Sequence, residues 1–480
     1  MNRPIRRISV VAMVMFALLL GNVTYSALVR YNTWNADPAN NRVRDAQFGQ
    51  DRGPILAAGQ VPLAETEPSD GRFDYQRVYP TNPELYAPIT GYYSYSYGRS
   101  ALENSYNAEL SGTDDSQFLS RVIDSVTGET PTGATVETTI VPAAQQAAWD
   151  GLAGRKGAVV AMNPQTGAIL AMVTTPSYDP NELGTHDNDD ASEAWTSLND
   201  DADRPMANRA AREIYPPGST FKLVTAAAAL ESGMSPDDEI DSPEQYTLPQ
   251  TNTQLGNETN CGGDRVSLDQ ALQVSCNTAF AGLGVDLGAE ALQAQADKFG
   301  FGTRPLPDLA AVASQFPDDP NGAQTALAAI GQGDVAASPL QMTMVTSGIA
   351  NGGVVMDPYV VDTVRADDLS VLRQTQPQER STAMSSENAD ALAEMMVHVV
   401  ESGTGVNGQM SGVTVGGKTG TAQTTEERPP YAWFTAFGGE EGNPSVAVTV
   451  FIEEADIERS DIAGGRLAAP IARDVMEAVL

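Results

Sequence analysis

Strand-like segments stand at opposite ends of a long intervening stretch, and that spacing constrains the fold of this chain more than any other feature. "GAVVAM" and "AILAMVTT", residues 157–162 and 168–175, read as two apolar strands joined by the Pro/Gly turn "NPQTG". "GVTVGGKTGTAQ", "YAWFTAFGG" and "SVAVTVFIEE" read as three more, the last two joined by the turn-like "EEGNP". Between the two groups, from Ser219 to about His398, the chain is rich in Ala, Leu and Gln, broken by Gly and Pro, and reads as helical. "GRLAAPIARDVMEAVL" closes it as an amphipathic helix. The early hairpin and the late strands are therefore expected to share one sheet flanked by helices, with an all-α lobe inserted. That is an α/β sandwich, and clefts form between such lobes.

The N-terminus sets where this body resides. "MNRPIRR" is followed by 22 residues without a charge, Ile8–Val29, enough to span a bilayer as one helix. Arg3, Arg6 and Arg7 hold the tail, residues 1–7, in the cytoplasm and send the rest outside. A cleaved signal peptide is the alternative, since the strongest apolar core, Ile8–Leu20, is short. From Arg30 to about Asp150 the composition is mixed and Tyr-rich. "GYYSYSYGRSALENSYNAELSG" alternates aromatics and then turns helical, as in a small α+β domain. The expected division is thus an anchor at 8–29, a pedestal or dimerisation domain at 30–150 and a main domain at 151–480.

A net charge of −34 excludes a nucleic-acid binder, which needs clustered Lys and Arg. The two histidines fall in an acidic run that reads as an exposed loop (His186) and on an amphipathic helix (His398). Neither context predicts a Ser-His-Asp triad or a His-based metal site. Lysine occurs four times, at 156, 222, 298 and 418, so its placement is informative.

Lys222 lies in "YPPGSTFKLVTAAAAL", three residues after Ser219. Two prolines and a glycine suit the segment before a helix, so Ser219 falls at the helix N-terminus, where free N–H groups favour an oxyanion. Lys222 shares its face one turn on, within reach of the hydroxyl. A serine hydroxyl needs a base, and a desolvated lysine beside a second cation can serve. The pair by itself is expected by chance roughly once or twice in such a chain, as a helix cap and a snorkelling lysine. "GGKTGTAQ" is rarer. Lys418 supplies the second cation, Thr419 and Thr421 supply hydroxyls for a carboxylate, and Gly420 leaves room for a substrate along a strand edge. "VSCNTAF" places Ser275 and Asn277 in the helical lobe between the two. Other Ser-x-Asn sequences stand at Ser105, Ser197 and Ser386, the last read as a helix cap.

In this order, Ser-x-x-Lys, Ser-x-Asn and Lys-Thr-Gly form the set of serine β-lactamases and penicillin-binding proteins. "RGPILA" at Arg52, "GRSALENSYNAELSG", "NPQTGAILAMVTTPSYDPN" and "NRAAREIYPPGSTFK" extend the similarity over nearly everything after the anchor. The chain resembles the class B penicillin-binding proteins, most of all their short actinobacterial branch. That resemblance implies a D,D-transpeptidase cross-linking peptidoglycan through a serine acyl-enzyme. Ser219 is then the nucleophile, Lys222 the base and Ser275 a proton shuttle. Asn277 holds a substrate amide, Lys418, Thr419 and Thr421 hold the substrate carboxylate, and the N–H groups of Ser219 and Thr421 form the oxyanion hole. Its partners are the stem pentapeptide, β-lactams, division-machinery membrane proteins and a separate glycosyltransferase, and it needs no metal or organic cofactor. A D,D-carboxypeptidase uses the same motifs, and a non-catalytic β-lactam sensor or divisome scaffold is the alternative of another class. Cys261 and Cys276, the only cysteines, are expected to pair in an oxidising compartment, two reduced buried thiols being the alternative.

Overall fold

The computed structural model describes residues 3–30, 34, 41–117, 132–425 and 428–480. The first two residues of the 1–7 tail, residues 31–33, 35–40 and 118–131 of the N-terminal region and residues 426–427 of the main domain lie outside these. Helix α1 (Arg3–Tyr25) continues through a π turn, Ser26–Arg30, with no buried residue. Arg3–Arg30 is long and apolar enough to cross a membrane.

The main sheet of the N-terminal region takes from it β1 (Ile55–Ala57), β2 (Val61–Pro68), β3 (Tyr75–Val78) and β4 (Thr135–Thr138), and Tyr93–Ser94 pairs separately with Gly98–Arg99. "RGPILA" and "GRSALENSYNAELSG" meet here in one buried ion cluster. Arg52 Nε and Arg77 Nε each donate to Glu103 at 2.6 Å, and Arg52 also donates to the Glu103 carbonyl at 2.7 Å. Burial alone would raise the Glu103 pKa; the two guanidinium groups outweigh it and hold the carboxyl below its ordinary value. His186 was expected in an exposed loop. It packs instead against Phe48 and Phe73, because the apolar sides of these rings leave water together.

Helix α2 (Pro142–Leu152) leads into the hairpin β5 (Lys156–Met162) and β6 (Ile169–Thr175). The helical region includes α3 (Lys222–Glu231), α4 (Leu268–Gln273), α5 (Asn277–Leu287) and α6 (Pro339–Ala350), besides the helices Ala289–Lys298 and Gly322–Ala328. Then come β7 (Val361–Arg365), β8 (Val371–Gln374) and α7 (Ser386–Ser402). The chain ends with β9 (Thr414–Ala422), β10 (Tyr431–Glu440), β11 (Asn443–Glu454) and α8 (Ala469–Val479).

The expected sheet forms, in the antiparallel order β9-β10-β11-β5-β6. Helices α2 and α8 pack on each other beside it, and α6 packs on β5, β10 and β11. Strand β9 is an edge, so one side of its backbone is free to meet a ligand.

The stretch from Ser219 to His398 is not helical throughout. Glu239–Asp241 pairs with Arg265–Ser267, Gln245–Thr247 with Gln254–Gly256, and Val354–Met356 with Glu379–Thr382. β7 and β8 join the N-terminal sheet, whose order is β8-β7-β4-β1-β2-β3. The β-branched runs around Val354, Val360 and Thr363 favour extended backbone, and a window dominated by Ala and Leu conceals them. The main apolar core is continuous from Ile55 and Val136 of one sheet to Val159 and Val450 of the other, and smaller clusters stand apart around Phe48 and around Tyr178. Ser386 is also reassigned: Ser385 is the N-cap of α7, accepting from the Asn388 N–H, and Ser386 is the first helical residue.

Candidate active site

Ser219 sits in a 3₁₀ turn, Gly218–Phe221, that runs directly into α3 at Lys222. Several groups hold this turn. Tyr215 exchanges backbone hydrogen bonds with Ala337, its hydroxyl donates to Glu213, and its ring lies 4.3 Å from that of Phe451. The Gly218 N–H donates to the Gly331 carbonyl at 2.9 Å. A Cβ on Gly331 would stand 2.1 Å from the Gly218 carbonyl oxygen, so only glycine permits this approach. The Ser219 side chain is half-buried, and its hydroxyl has no hydrogen-bond partner among the described residues.

The second motif lies on the loop between α4 and α5. Ser275 adopts φ +60°, a strained value for a non-glycine residue, and such strain persists only where the surroundings over-determine it. Cys276 is joined to Cys261, with Cα atoms 5.5 Å apart, which pins the loop from behind. Asn277 opens α5.

Both lysines converge on this loop. Lys222 Nζ donates to the Ser275 carbonyl at 2.8 Å, to Asn277 Oδ1 at 2.7 Å and to Ser275 Oγ at 3.3 Å. Lys418 Nζ donates to Ser275 Oγ at 2.8 Å and to the Thr419 carbonyl at 2.9 Å. The Ser275 hydroxyl therefore bridges two lysines from opposite walls. Neither lysine side chain is exposed to solvent. Burial pushes the Lys222 ammonium well below its ordinary range and the Lys418 charge pushes it further, Glu258 opposing both. Burial alone brings Lys418 down to about 7, again against Glu258. Two buried cations this close cannot both keep their protons cheaply, so one amine is free to act as a base.

Three expectations change in detail. Lys222 makes its hydrogen bonds to Ser275 and Asn277 rather than to Ser219, because the motif loop offers it three acceptors. The Asn277 amide, expected to hold substrate, spends its oxygen on Lys222 and donates its nitrogen to the Gly256 carbonyl at 3.4 Å. The space over Gly420 belongs to the protein: a Cβ there would meet the Pro217 carbonyl, Thr220 and Trp433 at 3.0 Å. The glycine lets the turn that carries Ser219 lie against β9. Thr419 and Thr421 share one face of β9, the one opposite Lys418 and Gly420; Thr419 shares a hydrogen bond of 2.7 Å with Thr404, and Thr421 is partly exposed.

Of the four Ser-x-Asn sequences, Ser275 is the one that meets the lysines. Ser105 bonds the carbonyls of Ala101 and Asp308, and Ser197 lies in the helix Asn188–Asp200. His398 pairs with Asp269 at 3.0 Å and ties α7 to α4 behind the motif loop. Thr404 and Glu258 escaped the sequence reading. Both lie in Gly- or Asn-rich loops whose composition distinguishes them from no other surface loop.

The penicillin binding protein transpeptidase domain matches residues 157–477, and the penicillin binding protein A dimerisation domain matches residues 52–136. The peptidoglycan D,D-transpeptidase PbpA of Mycolicibacterium smegmatis is 43% identical, over 100% of this chain and 99% of that one. PbpA of Mycobacterium tuberculosis is 42% identical with the same coverage. Among solved structures, penicillin-binding protein A from M. tuberculosis as a ceftriaxone acyl-enzyme superposes with a TM-score of 0.87 at 41% identity, covering 91% of this chain and 100% of that one. Its penicillin G acyl-enzyme gives 0.84 at 42% identity, covering 90% and 99%. With similarity along its whole length and both domains matched, the chain belongs to the class B penicillin-binding proteins.

Proposed function

We propose that the chain is a peptidoglycan D,D-transpeptidase in which Ser219 carries the acyl group. One observation supports this assignment of roles above the others: the Ser275 hydroxyl bridges Lys222 and Lys418 beside an unengaged Ser219. The Ser219 hydroxyl attacks the carbonyl of the penultimate D-Ala of a stem pentapeptide, and neutral Lys222 takes its proton. The N–H groups of Ser219 and Thr421 stabilise the oxyanion, one such donor being worth about 10²–10³ in rate. Lys222 returns the proton through Ser275 to the departing amine, and the terminal D-Ala leaves. Lys418 and Thr421 hold its carboxylate, and Thr419 is positioned by Thr404 to assist. An amine of a second stem then attacks the ester, forming the cross-link and freeing Ser219. β-Lactams acylate the same serine.

The N-terminal helix anchors the chain, with Arg3, Arg6 and Arg7 on the cytoplasmic side and the two sheets outside. The region from Arg30 to about Asp150 serves as a pedestal and docks division-machinery membrane proteins and a separate glycosyltransferase. Intact-mass measurement after incubation with penicillin G tests the chemistry. One penicilloyl adduct, carried by the peptide containing Ser219 and absent from Ser219→Ala, is the expected result. A stoichiometric serine-linked adduct on Ser219→Ala overturns the mechanism.

A further inference from the structure

The segment 256–261 borders the cleft, and four of its residues are tied to the Ser275 loop or to the first turn of α5. Asn277 Nδ2 donates to the Gly256 carbonyl, the Thr278 N–H donates to Asn257 Oδ1 at 2.9 Å, and Asn257 Nδ2 donates to Thr278 Oγ1 at 2.9 Å. Thr259 Oγ1 donates to the Val274 carbonyl at 2.7 Å, and Cys261 is bonded to Cys276. Glu258 stands in the middle of this clamp with its side chain turned outward. Its carboxylate accepts from Gln423 Nε2 at 3.4 Å, across the cleft and two residues beyond Thr421. Glu258, Thr421, Gln423, Glu458, Arg459 and Ile462 are among the residues that line one open cavity of about 580 Å³, in which Glu258 is the acid that reaches the lysines. The Glu258 charge reaches both buried lysines and opposes the loss of their protons.

The segment around Glu258 is thus tied down at four residues, Gly256, Asn257, Thr259 and Cys261, while its exposed carboxylate faces the cleft. Cross-linking gives this placement a use, an argument that rests on the transpeptidase reading above. The second substrate is an amine, which in neutral water is an ammonium ion. It must approach a site in which Lys222 is neutral but Lys418 can still carry a positive charge, and a like charge repels it. A carboxylate at the mouth turns that repulsion into attraction. Water, the competing acceptor, is neutral and gains nothing from it.

We propose that Glu258 binds the incoming acceptor as an ammonium ion and so sets the preference of the acyl-enzyme for aminolysis over hydrolysis. From that position the ammonium gives one proton to neutral Lys222, and its nitrogen bonds to the acyl carbon. The bond from that carbon to Ser219 Oγ breaks, and the second nitrogen proton goes to Ser219 Oγ. The products are an amide, a free Ser219 hydroxyl and a Lys222 ammonium, so protons and charge balance.

The test uses the full-length protein in detergent with a peptidyl thioester donor, and measures the ratio of amide to acid product with two acceptors. Nα-Acetyl-lysine amide presents an ammonium ion; hydroxylamine is uncharged at neutral pH. Glu258→Gln should lower the ratio about tenfold for the lysine amide, the effect of losing one charge contact at the cleft mouth, and change it less than about twofold for hydroxylamine. Glu258→Asp, which keeps the charge, should restore most of the preference. An unchanged ratio for the lysine amide overturns the proposal, and so does an equal fall with both acceptors, which would mark a structural role. If the unsubstituted protein forms no amide with either acceptor, the transpeptidase reading fails and takes this one with it.

Discussion

Replacing Lys418 by methionine should make the protein more stable at neutral pH while crippling acylation. The Lys418 side chain is fully buried, and burial brings its pKa from 10.5 to about 7. An unfolded lysine keeps its proton up to about pH 10. The folded state therefore binds fewer protons than the unfolded state between about pH 7 and 10.5, and stability rises with pH across that window. The cost to folding is full below about pH 7 and vanishes above about pH 10.5. At neutral pH it amounts to about 4 kcal/mol, and at pH 9 to about 2 kcal/mol. Methionine fills a similar volume without charge, but it leaves Ser275 Oγ and the Thr419 carbonyl without the donor that now stands 2.8 and 2.9 Å away. That loss is about 1–3 kcal/mol, so relief of burial wins at pH 7 by roughly 2 kcal/mol and the gain fades by about pH 9. The Lys418 charge also lowers Lys222, and removing it acts in the same direction. Urea unfolding of the full-length protein in detergent measures this through tryptophan fluorescence. Trp433 is buried on β10 opposite Gly420, beside the site. A loss of stability at pH 7, or a difference between the two proteins that does not shrink with rising pH, would refute the reasoning.

Other consequences follow from single contacts. Gly420→Ala should slow penicillin acylation by an order of magnitude or more, since about 1.4 kcal/mol per tenfold is soon reached when a Cβ forces Pro217, Thr220 and Trp433 from their 3.0 Å approach; stopped-flow labelling reads the rate. Thiol titration of denatured, unreduced protein should find no free cysteine, and reduction should lower stability by roughly 3 kcal/mol for a loop of this size. Ser385→Ala should cost about 1 kcal/mol through the lost cap of α7 and leave penicillin labelling unchanged, measured by urea unfolding and adduct mass.

Local rules carried far in this chain. An uncharged run long enough to span a bilayer, short apolar segments and Pro/Gly turns each depend on a few neighbouring residues, so the N-terminal helix and the strands β5, β6, β9, β10 and β11 are legible along the sequence. The spacing of Ser219 and Lys222 within one turn is local as well. The cleft is not, because it joins residues on three distant segments. No local pattern says that Ser275 Oγ stands 2.8 Å from Lys418, or that the Asn277 amide turns to Lys222 rather than outward. Nor does one say that residues 361–374 cross over to extend the sheet of residues 55–138, since the pairing partner of β7 lies more than two hundred residues upstream. Glu258 and Thr404 take their meaning from what faces them across the cleft. Propensity and periodicity fix which segments can be strands or helices. Which edges pair, and which side chains meet in the low-dielectric space between the lobes, depends on packing the whole core, where burying two lysines is tolerated because each finds oxygen acceptors supplied by the same strained loop.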